Sequence, residues 1–328
     1  MEKKVDVICV GKTTIDQFLT LNQTTVKYHL DTKTGYLSFK HGEKIDVDGF
    51  KFCLGGNATN VAIGLSRLGL SAALFTEIGD DEFSDKIFHE LARDNIDRSH
   101  VVQAKNTQSS FSVVIDYKGE RTIFCLRMQR ENDFHLDDIS SRYVFLTSLE
   151  KEWQKSYKRA LSYIEKKGGK LIYNPGTTQL QEEGRDVALQ TLGCTDILFV
   201  NKEEAETLAL GHERRKIDNE RDYIHELLVK LKRMGPKLVV ITNGRRGSHA
   251  IDEQGNLYFQ GLCESIVVER TGAGDAYTTG FLAATIYGKP VKEAMLWGAV
   301  DAASVVEKVG ANAGLLQMDV LEKRVREG

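Results

Sequence analysis

Residues 269–281 read Glu-Arg-Thr-Gly-Ala-Gly-Asp-Ala-Tyr-Thr-Thr-Gly-Phe. Small residues from Thr271 to Gly274 precede apolar residues at helical spacing, which predicts a tight turn that opens a helix. The first N–H groups of a helix lack backbone partners and lie at the positive end of its dipole, so this turn is suited to bind a phosphate group. Asp275 lies inside the predicted anion hole, where a carboxylate can accept a proton from a hydroxyl group. The simpler alternative is a favourable acid in the first turn of a helix.

A second glycine turn precedes an earlier predicted helix. Residues 55–60 read Gly-Gly-Asn-Ala-Thr-Asn, and such a turn lets a ligand approach the backbone closely. Asn57 and Asn60 are one helical turn apart, and their amide groups both donate and accept hydrogen bonds, which suits the hydroxyl groups of a polyol. The alternative for Asn57 is a plain N-cap. Asp16 follows the predicted first strand, Val5–Val10, on its carboxyl side, where open α/β sheets bind ligands.

Two polar motifs follow later predicted strands. Asn201 and Glu204 are three residues apart, and their side-chain oxygens could hold Mg²⁺ through its water molecules. The alternative is a capping box at the start of a helix. Residues 242–247 read Thr-Asn-Gly-Arg-Arg-Gly, and a hydroxyl group with spaced glycines suits a nucleotide and its phosphate oxygens. Alone, this last motif is a weak signal, because Asn-Gly turns after strands are common.

The composition is that of an ordinary α/β protein, with 328 residues, 28% charged residues and a net charge of −3. This charge argues against nucleic acid as the main partner, which would need clustered excess cations. No stretch approaches the roughly 20 apolar residues that span a bilayer, so no membrane partner is expected, and the N-terminus lacks the apolar core of a signal peptide. The five cysteines are scattered without metal-like spacing, which favours reduced thiols and a cytoplasmic location.

Strand-like and helical segments alternate along most of the chain, which predicts an α/β fold with a mostly parallel sheet covered by helices on both faces. Two segments, at about residues 17–52 and 107–127, interrupt this alternation with the two-residue period of short antiparallel strands. We therefore expect one domain over residues 1–328, with a small β-sheet inserted into it. The first segment includes an alternating stretch from Thr24 to Leu30, and the second is a hairpin.

Taken in chain order, from the Gly-Gly-Asn turn at residue 55 to the Thr-Gly-Ala-Gly-Asp turn at residue 271, the four motifs closely resemble those of the ribokinase-like (PfkB) carbohydrate kinase family. The resemblance covers essentially the whole chain. The resemblance implies a three-layer α/β/α domain, a β-sheet lid over the substrate, and Mg²⁺-assisted phosphoryl transfer from ATP to a hydroxyl group. For the reacting end of the site it implies Asp275 as catalytic base, an anion hole of Gly272, Ala273 and Gly274, and substrate contacts from Asp16, Gly55, Gly56, Asn57 and Asn60. For the nucleotide end it implies a phosphate and magnesium region at Asn201 and Glu204, nucleotide contacts at Thr242, Gly244 and Gly247, and a lid arginine, Arg121, that reaches toward the phosphates.

The chain departs from the family pattern at three places. Glu269 stands where the family usually has Asp, in a neighbourhood that helps many members to hold a monovalent cation, so K⁺-dependent and K⁺-independent activity are both open. Asp301 interrupts a run of small residues beside the expected adenine site. The segment from Arg127 to Asn132 replaces a small-residue segment that often touches substrate. Arg127 and Arg130 are three apart on a predicted extended segment, which should turn them to opposite faces, so that only one readily enters the pocket.

The favoured function is an ATP-dependent sugar kinase that acts on a free sugar. Three alternatives stay open: a nucleoside kinase of the same fold, a phosphosugar kinase, and a non-catalytic regulator that binds sugar or nucleotide. A nucleoside pocket should use aromatic stacking, for which the candidates are Phe18, Tyr28, Tyr36 and Phe39. A regulator would have no need of the base, Asp275. An apolar face of the small sheet could also serve as a homodimer interface.

Overall fold

A computed structural model describes residues 3–22, 28–117, 120–211 and 219–327. The predicted strand residues 24–26 and the tip of the predicted hairpin, residues 118–119, lie outside the described residues. The helices are α1 (Asn57–Arg67), α2 (Glu82–Arg93), α3 (Gln154–Lys167), α4 (Glu182–Leu192), α5 (Lys202–Leu210), α6 (Glu220–Arg233), α7 (Ala273–Ile286), α8 (Val291–Val305) and α9 (Met318–Glu327). The strands are β1 (Lys3–Lys4), β2 (Val7–Val10), β3 (Thr14–Leu21), β4 (Tyr28–Asp31), β5 (Tyr36–Phe39), β6 (Val47–Gly55), β7 (Ala72–Ile78), β8 (Val101–Gln103), β9 (Phe111–Tyr117), β10 (Glu120–Leu126), β11 (Ile139–Ser140), β12 (Tyr143–Thr147), β13 (Lys170–Asn174), β14 (Ile197–Asn201), β15 (Leu238–Thr242), β16 (Ser248–Ile251) and β17 (Leu257–Gln260).

The central sheet has the strand order β17-β16-β15-β14-β13-β12-β2-β7-β8. Neighbours from β15 to β8 pair in parallel, and β16 and β17 add an antiparallel edge hairpin, so the mostly parallel sheet is confirmed. The strand order reverses at β2, because later strands lie on both sides of it. The carboxyl end of β2 is therefore a topological switch point, where open α/β sheets bind ligands.

Strand β2 shows how both faces of the sheet are buried. Val7 and Cys9 belong to a core that includes side chains of α1, α7 and α8. Ile8 and Val10 belong to a second core, formed with α3, α5 and α6. Because side chains alternate along a strand, helices cover both faces and the three-layer arrangement is confirmed.

A separate four-stranded sheet has the order β10-β9-β3-β6 and is called the small sheet below. Its strands β9 and β10 form the predicted hairpin, whereas β3 pairs parallel to β9 and antiparallel to β6. The small sheet reaches beyond the predicted limits, since β3 begins at Thr14 and β6 ends at Gly55. Asp16 consequently lies within β3, the strand that follows β2 on its carboxyl side. Strands β4 and β5 form a two-stranded sheet of their own.

Helix α9 is the main element that the sequence pattern did not predict. Its apolar residues Met318, Leu321 and Val325 recur at helical spacing and pack against the core, so the signal was present in the sequence and was missed. Within the described residues, no helix combines the length and apolar character needed to cross a membrane.

Candidate active site

The turn before α7 has the geometry that the small residues predict. Gly272 is the N-cap of α7 with a φ of 83°, and a side-chain carbon there would lie 2.5 Å from the carbonyl oxygen of Ala311. Only glycine therefore fits this position. A side-chain carbon on Gly274 would meet no atom within 4 Å, so open space faces the first turn of α7. The N–H group of Ala273 makes a long hydrogen bond of 3.4 Å to the carbonyl oxygen of Arg270. The N–H groups of Gly274 and Asp275 have no acceptor in their own helix and are available to an anion in that space.

Asp275 lies in this first turn, and two amide groups from α1 hold its carboxylate. Asn57 Nδ2 donates to Asp275 Oδ1 at 3.0 Å, and Asn60 Nδ2 donates to Asp275 Oδ2 at 2.8 Å. Removal from water raises the pKa of Asp275, while the two asparagines and the charge of Lys12 act in the opposite direction. The carboxylate is thus fixed in orientation, and each oxygen keeps a lone pair for a proton.

The N-cap alternative for Asn57 is wrong, because Gly56 is the N-cap of α1 and has a φ of 97°. A side-chain carbon on Gly56 would lie 2.3 Å from the carbonyl oxygen of Lys12. Asn57 is therefore the first helical residue, and its side chain is free of the capping role. The Oδ1 atom of Asn60 is buried and has no hydrogen-bond partner among the described residues, so it offers an acceptor next to Asp275.

Asp16 reaches the same region from β3. It is buried and accepts a hydrogen bond from Thr14 Oγ1 at 3.2 Å. Burial raises the pKa of Asp16, against the opposing effects of Ser112, Thr14 and Lys12. Glycine is sterically required at position 55, since a side-chain carbon there would lie 2.0 Å from Asp16 Oδ2. Gly55 therefore makes room for the carboxylate of Asp16.

Sequence reasoning missed Lys12 and Glu150. The charge of Lys12 acts on Asp16, Asp275 and Glu150, which places a cation among three carboxylates. Glu150 is buried and accepts hydrogen bonds from Ser110 Oγ at 2.8 and 3.0 Å. Both residues follow strands of the central sheet at its carboxyl edge, Lys12 after β2 and Glu150 after β12, and that position was the signal that could have found them.

A cavity of about 350 Å³ lies beside Glu150 and is lined by Arg127, among others. The two arginines of this segment have different surroundings. Arg130 is buried and donates to Thr107 Oγ1 at 2.8 Å and to the carbonyl of Gln108, so it holds the preceding loop. Arg127 is exposed at the cavity. Burial raises the pKa of Glu150, and the positive charge of Arg127 acts to lower it.

Asn201 and Glu204 form the predicted alternative, a complete capping box. Asn201 Oδ1 accepts from the backbone N–H of Glu204 at 2.8 Å, and Glu204 Oε2 accepts from that of Asn201 at 2.9 Å. Burial raises the pKa of Glu204 to about 7, and the nearby charge of Asp275 adds to the rise. This carboxylate therefore lies close enough to the Asp275 region to sense its charge.

A single carboxylate, that of Glu204, is the candidate ligand for Mg²⁺. The described residues contain no group of three or more His, Cys, Asp or Glu side chains that could hold a metal ion. Mg²⁺ commonly keeps several water molecules and binds one or two carboxylates together with substrate phosphates. Glu204, which lies near enough to Asp275 for their charges to interact, fits that mode of binding.

The predicted nucleotide motif lies next to Asn201. Thr242 ends β15 and is the register partner of Asn201 in β14. Gly244 has a φ of 50° and faces open space, whereas a side-chain carbon on Gly247 would lie 2.2 Å from the carbonyl oxygen of Gln260. Gly247 is thus explained by packing alone, and Gly244 is the glycine that leaves room for a ligand.

Arg121 contacts the turn before the anion hole. Its Nη1 lies 3.2 Å from Glu269 Oε1, which also accepts from Thr271. The small sheet therefore touches the residue that precedes the anion hole.

The pfkB family of carbohydrate kinases matches residues 7–318. The chain belongs to this family. It is accordingly an ATP-dependent phosphotransferase, a kinase of the sugar and nucleoside class, and the non-catalytic alternative is set aside.

Individual relatives of this pfkB-family kinase are distant. The chain is 25% identical to a 5-dehydro-2-deoxygluconokinase of Geobacillus thermodenitrificans, over 99% of this chain and 94% of the relative. It is 24% identical to an ATP-dependent 6-phosphofructokinase of Thermoanaerobacterium thermosaccharolyticum, over 98% and 94% of the two chains. Among solved structures, a Methanocaldococcus jannaschii nucleoside kinase matches with a TM-score of 0.74 and 22% identity, over 100% of this chain and 99% of that one. At such identities the structural likeness establishes the ribokinase-like fold, as predicted, and not the substrate.

Proposed function

We propose that this pfkB-family kinase transfers the γ-phosphoryl group of ATP to a hydroxyl group of a small, free sugar, with Asp275 as the general base. The observation that carries the proposal is the Asp275 carboxylate, held by Asn57 and Asn60 directly after the anion-hole turn. Fixing a base in this way favours catalysis, because phosphoryl transfer depends mainly on positioning and charge stabilisation.

The reaction uses the side chains in a simple order. The substrate hydroxyl gives its proton to a free lone pair of Asp275 while its oxygen forms a bond to the γ-phosphorus. The bond from that phosphorus to the bridging oxygen of ADP breaks, and the N–H groups of the turn from Gly272 to Gly274 stabilise the charge on the phosphoryl oxygens. Mg²⁺, when bound near Glu204, would neutralise part of the phosphate charge.

Substrate hydroxyl groups have several partners on the small-sheet side of the site. Asp16 can accept hydrogen bonds from hydroxyl groups, Lys12 can donate, and the unpartnered Oδ1 of Asn60 can accept. Sites built to pair hydroxyl groups reject analogues that lack them by large factors. This set of partners supports a polyhydroxylated acceptor.

Within the free sugars, we favour a sugar acid. Arg127 and Lys151 line the cavity together with the acids Glu150 and Glu152, so a single carboxylate could pair with one of the two cations. The name of a relative, 5-dehydro-2-deoxygluconokinase, refers to a substrate of that chemical class. A phosphosugar, with its higher negative charge, is disfavoured because Glu150 and Glu152 also line the cavity and Arg130 is engaged with Thr107 and Gln108.

Aromatic packing disfavours a nucleoside. Phe18 is buried in a small apolar cluster of the small sheet, and Tyr28 is buried with its ring packed on Phe39 and Tyr117. Three of the four predicted stacking residues, Phe18, Tyr28 and Phe39, thus pack on other side chains of the protein, which disfavours their stacking on a nucleobase.

The deciding experiment measures ATP consumption across pentoses, hexoses, sugar acids, sugar phosphates and nucleosides. The expected result is a higher kcat/KM for a free sugar or sugar acid than for its phosphorylated form or for any nucleoside. Arg127→Ala should lower kcat/KM for the acid more than for the matching neutral sugar, with Thr122→Ala as a control. A strongly preferred nucleoside or phosphosugar would contradict the substrate assignment.

The small sheet is also proposed as a lid and as a homodimer surface. Several of its large apolar side chains are exposed, with Phe50 at 53% and Phe124 at 56%. An apolar patch of this kind commonly marks a partner surface. Sedimentation of the wild type and of Phe124→Glu should show a dimer that the substitution weakens; a monomer at all concentrations would contradict the dimer alone.

A further inference from the structure

Glu269 shapes the turn that leads into the anion hole. Only 4% of this residue is exposed, and its Oε1 accepts from the backbone N–H of Thr271 at 2.7 Å and from Thr271 Oγ1 at 2.5 Å. The next residue is Gly272, whose backbone lies against Ala311 with no room for a side chain. The carboxylate therefore fixes the turn from one side while Ala311 confines it from the other. The N–H groups of the anion hole follow this turn directly.

A buried carboxylate needs a positive charge nearby, because an unpaired charge in the protein interior is costly. Other acids lie close, since the charge of Glu269 raises the pKa of Asp16. The cation that contacts Glu269 is Arg121, 148 residues earlier in the chain and on the edge strand β10 of the small sheet. Its guanidinium supplies both a hydrogen bond and a positive charge.

We propose that Arg121 is a positioning residue for the anion hole, whose guanidinium supplies from the small sheet the positive charge that Glu269 requires. When the small sheet closes over the site, Arg121 reaches Glu269, and the same contact fixes the turn at Thr271. The inference rests on the proposed function, since it assigns these residues to the phosphoryl-transfer site.

A consequence follows for monovalent cations, which the family resemblance places near Glu269. The donors at Glu269 Oε1 are an arginine N–H, a backbone N–H and a hydroxyl group. Hard cations such as K⁺ need oxygen ligands, and two of these three donors are nitrogen groups that carry hydrogens. The surroundings of Oε1 therefore fit hydrogen bonds to Arg121 and Thr271 and do not fit a cation, whereas Oε2 is buried and has no hydrogen-bond partner among the described residues. The guanidinium of Arg121 already balances the single negative charge of this carboxylate, so no second cation is required. We expect activity of the wild type to be independent of K⁺.

Removing Arg121 should make the activity dependent on K⁺. In Arg121→Ala the buried carboxylate of Glu269 loses its counter-charge, and a small monovalent cation becomes the natural replacement. In Glu269→Asp the shorter side chain withdraws from Arg121 while it keeps a carboxylate beside Thr271, so the same dependence should arise. Thr122→Ala, one residue along β10 and therefore on the opposite face of the strand, is the matched control.

The experiment compares kcat and KM for ATP in potassium chloride and in choline chloride at equal ionic strength. The wild type and Thr122→Ala should differ by less than about twofold between the salts, while Arg121→Ala should lose about 10²-fold in kcat in choline chloride, the usual cost of a misplaced catalytic geometry. Potassium chloride or guanidinium at low concentration should restore much of that loss, and Arg121→Lys should retain more activity than Arg121→Ala. A wild type that needs K⁺, or an Arg121→Ala that matches Thr122→Ala in choline, overturns the proposal.

Two readouts do not depend on finding a substrate. The thermal midpoint of Arg121→Ala should fall in choline chloride and recover in potassium chloride, and the double variant Arg121→Ala with Glu269→Gln should lose this salt difference. Hydrogen exchange at residues 271–275 should speed up in Arg121→Ala and not in Thr122→Ala. If no compound of the substrate panel is phosphorylated, the proposed function fails, and these measurements still decide whether the pair positions the turn. Unchanged exchange and an unchanged midpoint overturn it.

Discussion

Asp275 and Glu204 are both carboxylates in the first turn of a helix, but they are held in different ways. Glu204 binds the backbone of Asn201, three residues earlier, in a local capping box. Asp275 is bound by Asn57 and Asn60, more than 200 residues away in sequence. The first arrangement would stabilise any helix, whereas the second uses two amide groups, the buried one of Asn60 and the half-buried one of Asn57, that cap no helix end.

Of these two first-turn carboxylates, Asp275 has the clearer functional signature. A capping box explains Asn201 and Glu204 completely, so a metal role for Glu204 needs separate support from its burial and its charge. Nothing in helix formation explains why two asparagines of α1 should converge on Asp275. The long-range contact therefore supports the catalytic role, and the following predictions test each half of the comparison.

Asp275→Asn should cause the largest loss. We expect kcat to fall by about 10²–10⁴-fold, the usual contribution of a general base, while ATP binding stays close to that of the wild type. The measurements are steady-state kinetics and nucleotide titration calorimetry. Near-normal turnover would remove Asp275 from the role of base.

Glu204→Gln should weaken activation by Mg²⁺ by about 10–100-fold, the range seen when a group that orients a metal site is lost. Since burial raises the pKa of Glu204 to about 7, a proton competes with the metal below that pH. Apparent Mg²⁺ affinity of the wild type should therefore rise with pH up to about 7 and then level off.

The Mg²⁺ activation constant, measured from pH 5.5 to 8.5, checks the Glu204 prediction. Glu203→Gln is the control, because Glu203 is an exposed neighbour in the same helical turn. If Glu204→Gln keeps the pH dependence of the wild type, Glu204 is a capping residue only.

Asn60→Ala should lower kcat by less than the substitutions above, and the hydrogen bond from Asn60 to Asp275 determines the direction of the accompanying pH shift. Its Nδ2 stabilises the ionised form of Asp275, so its removal should raise the pKa of that carboxylate further. The acidic limb of the kcat profile should move to higher pH, with a loss of about tenfold along that limb for a shift of roughly one pKa unit. An unshifted profile would mean that Asn60 contacts only substrate.

Much of this site could be predicted from local sequence. The turn at Gly272, the start of α1 at Asn57, and the capping box at Asn201 all follow from short-range rules for glycine and helix ends. The fold class followed from the alternation of strands and helices. Each of these inferences depends on neighbours within a few residues.

The remaining features depend on contacts between distant segments. The clash that makes Gly55 necessary involves Asp16, and the charge partner of Glu269 is Arg121, in the small sheet. Neither pair has a sequence spacing that identifies it. Strand β6 also begins at Val47, the register partner of the last residue of β3, Leu21, and no local pattern marks that limit.

Asp301 extends the comparison to a carboxylate outside the proposed site. It is fully buried in α8, its Oδ1 accepts from the backbone N–H of Leu316 at 3.0 Å, and its Oδ2 has no hydrogen-bond partner among the described residues. Burial raises its pKa to about 7, although Arg67 and Arg324 lie near enough to oppose the rise. It therefore helps to hold the loop that contains Ala311 and packs on Gly272, without touching the space at the start of α7.

Asp301→Asn should alter stability and leave kcat nearly unchanged. The folded-state pKa is raised from an ordinary value of about 4, so the stability of the wild type is greatest below that value and falls as pH rises toward 7. An asparagine keeps the acceptor for Leu316 and does not ionise. The thermal midpoint of the variant relative to the wild type should thus increase between pH 5 and pH 8, by about 2–4 °C for each kcal/mol involved. A constant difference across that range would mean that Asp301 stays ionised, with its charge balanced by the two arginines.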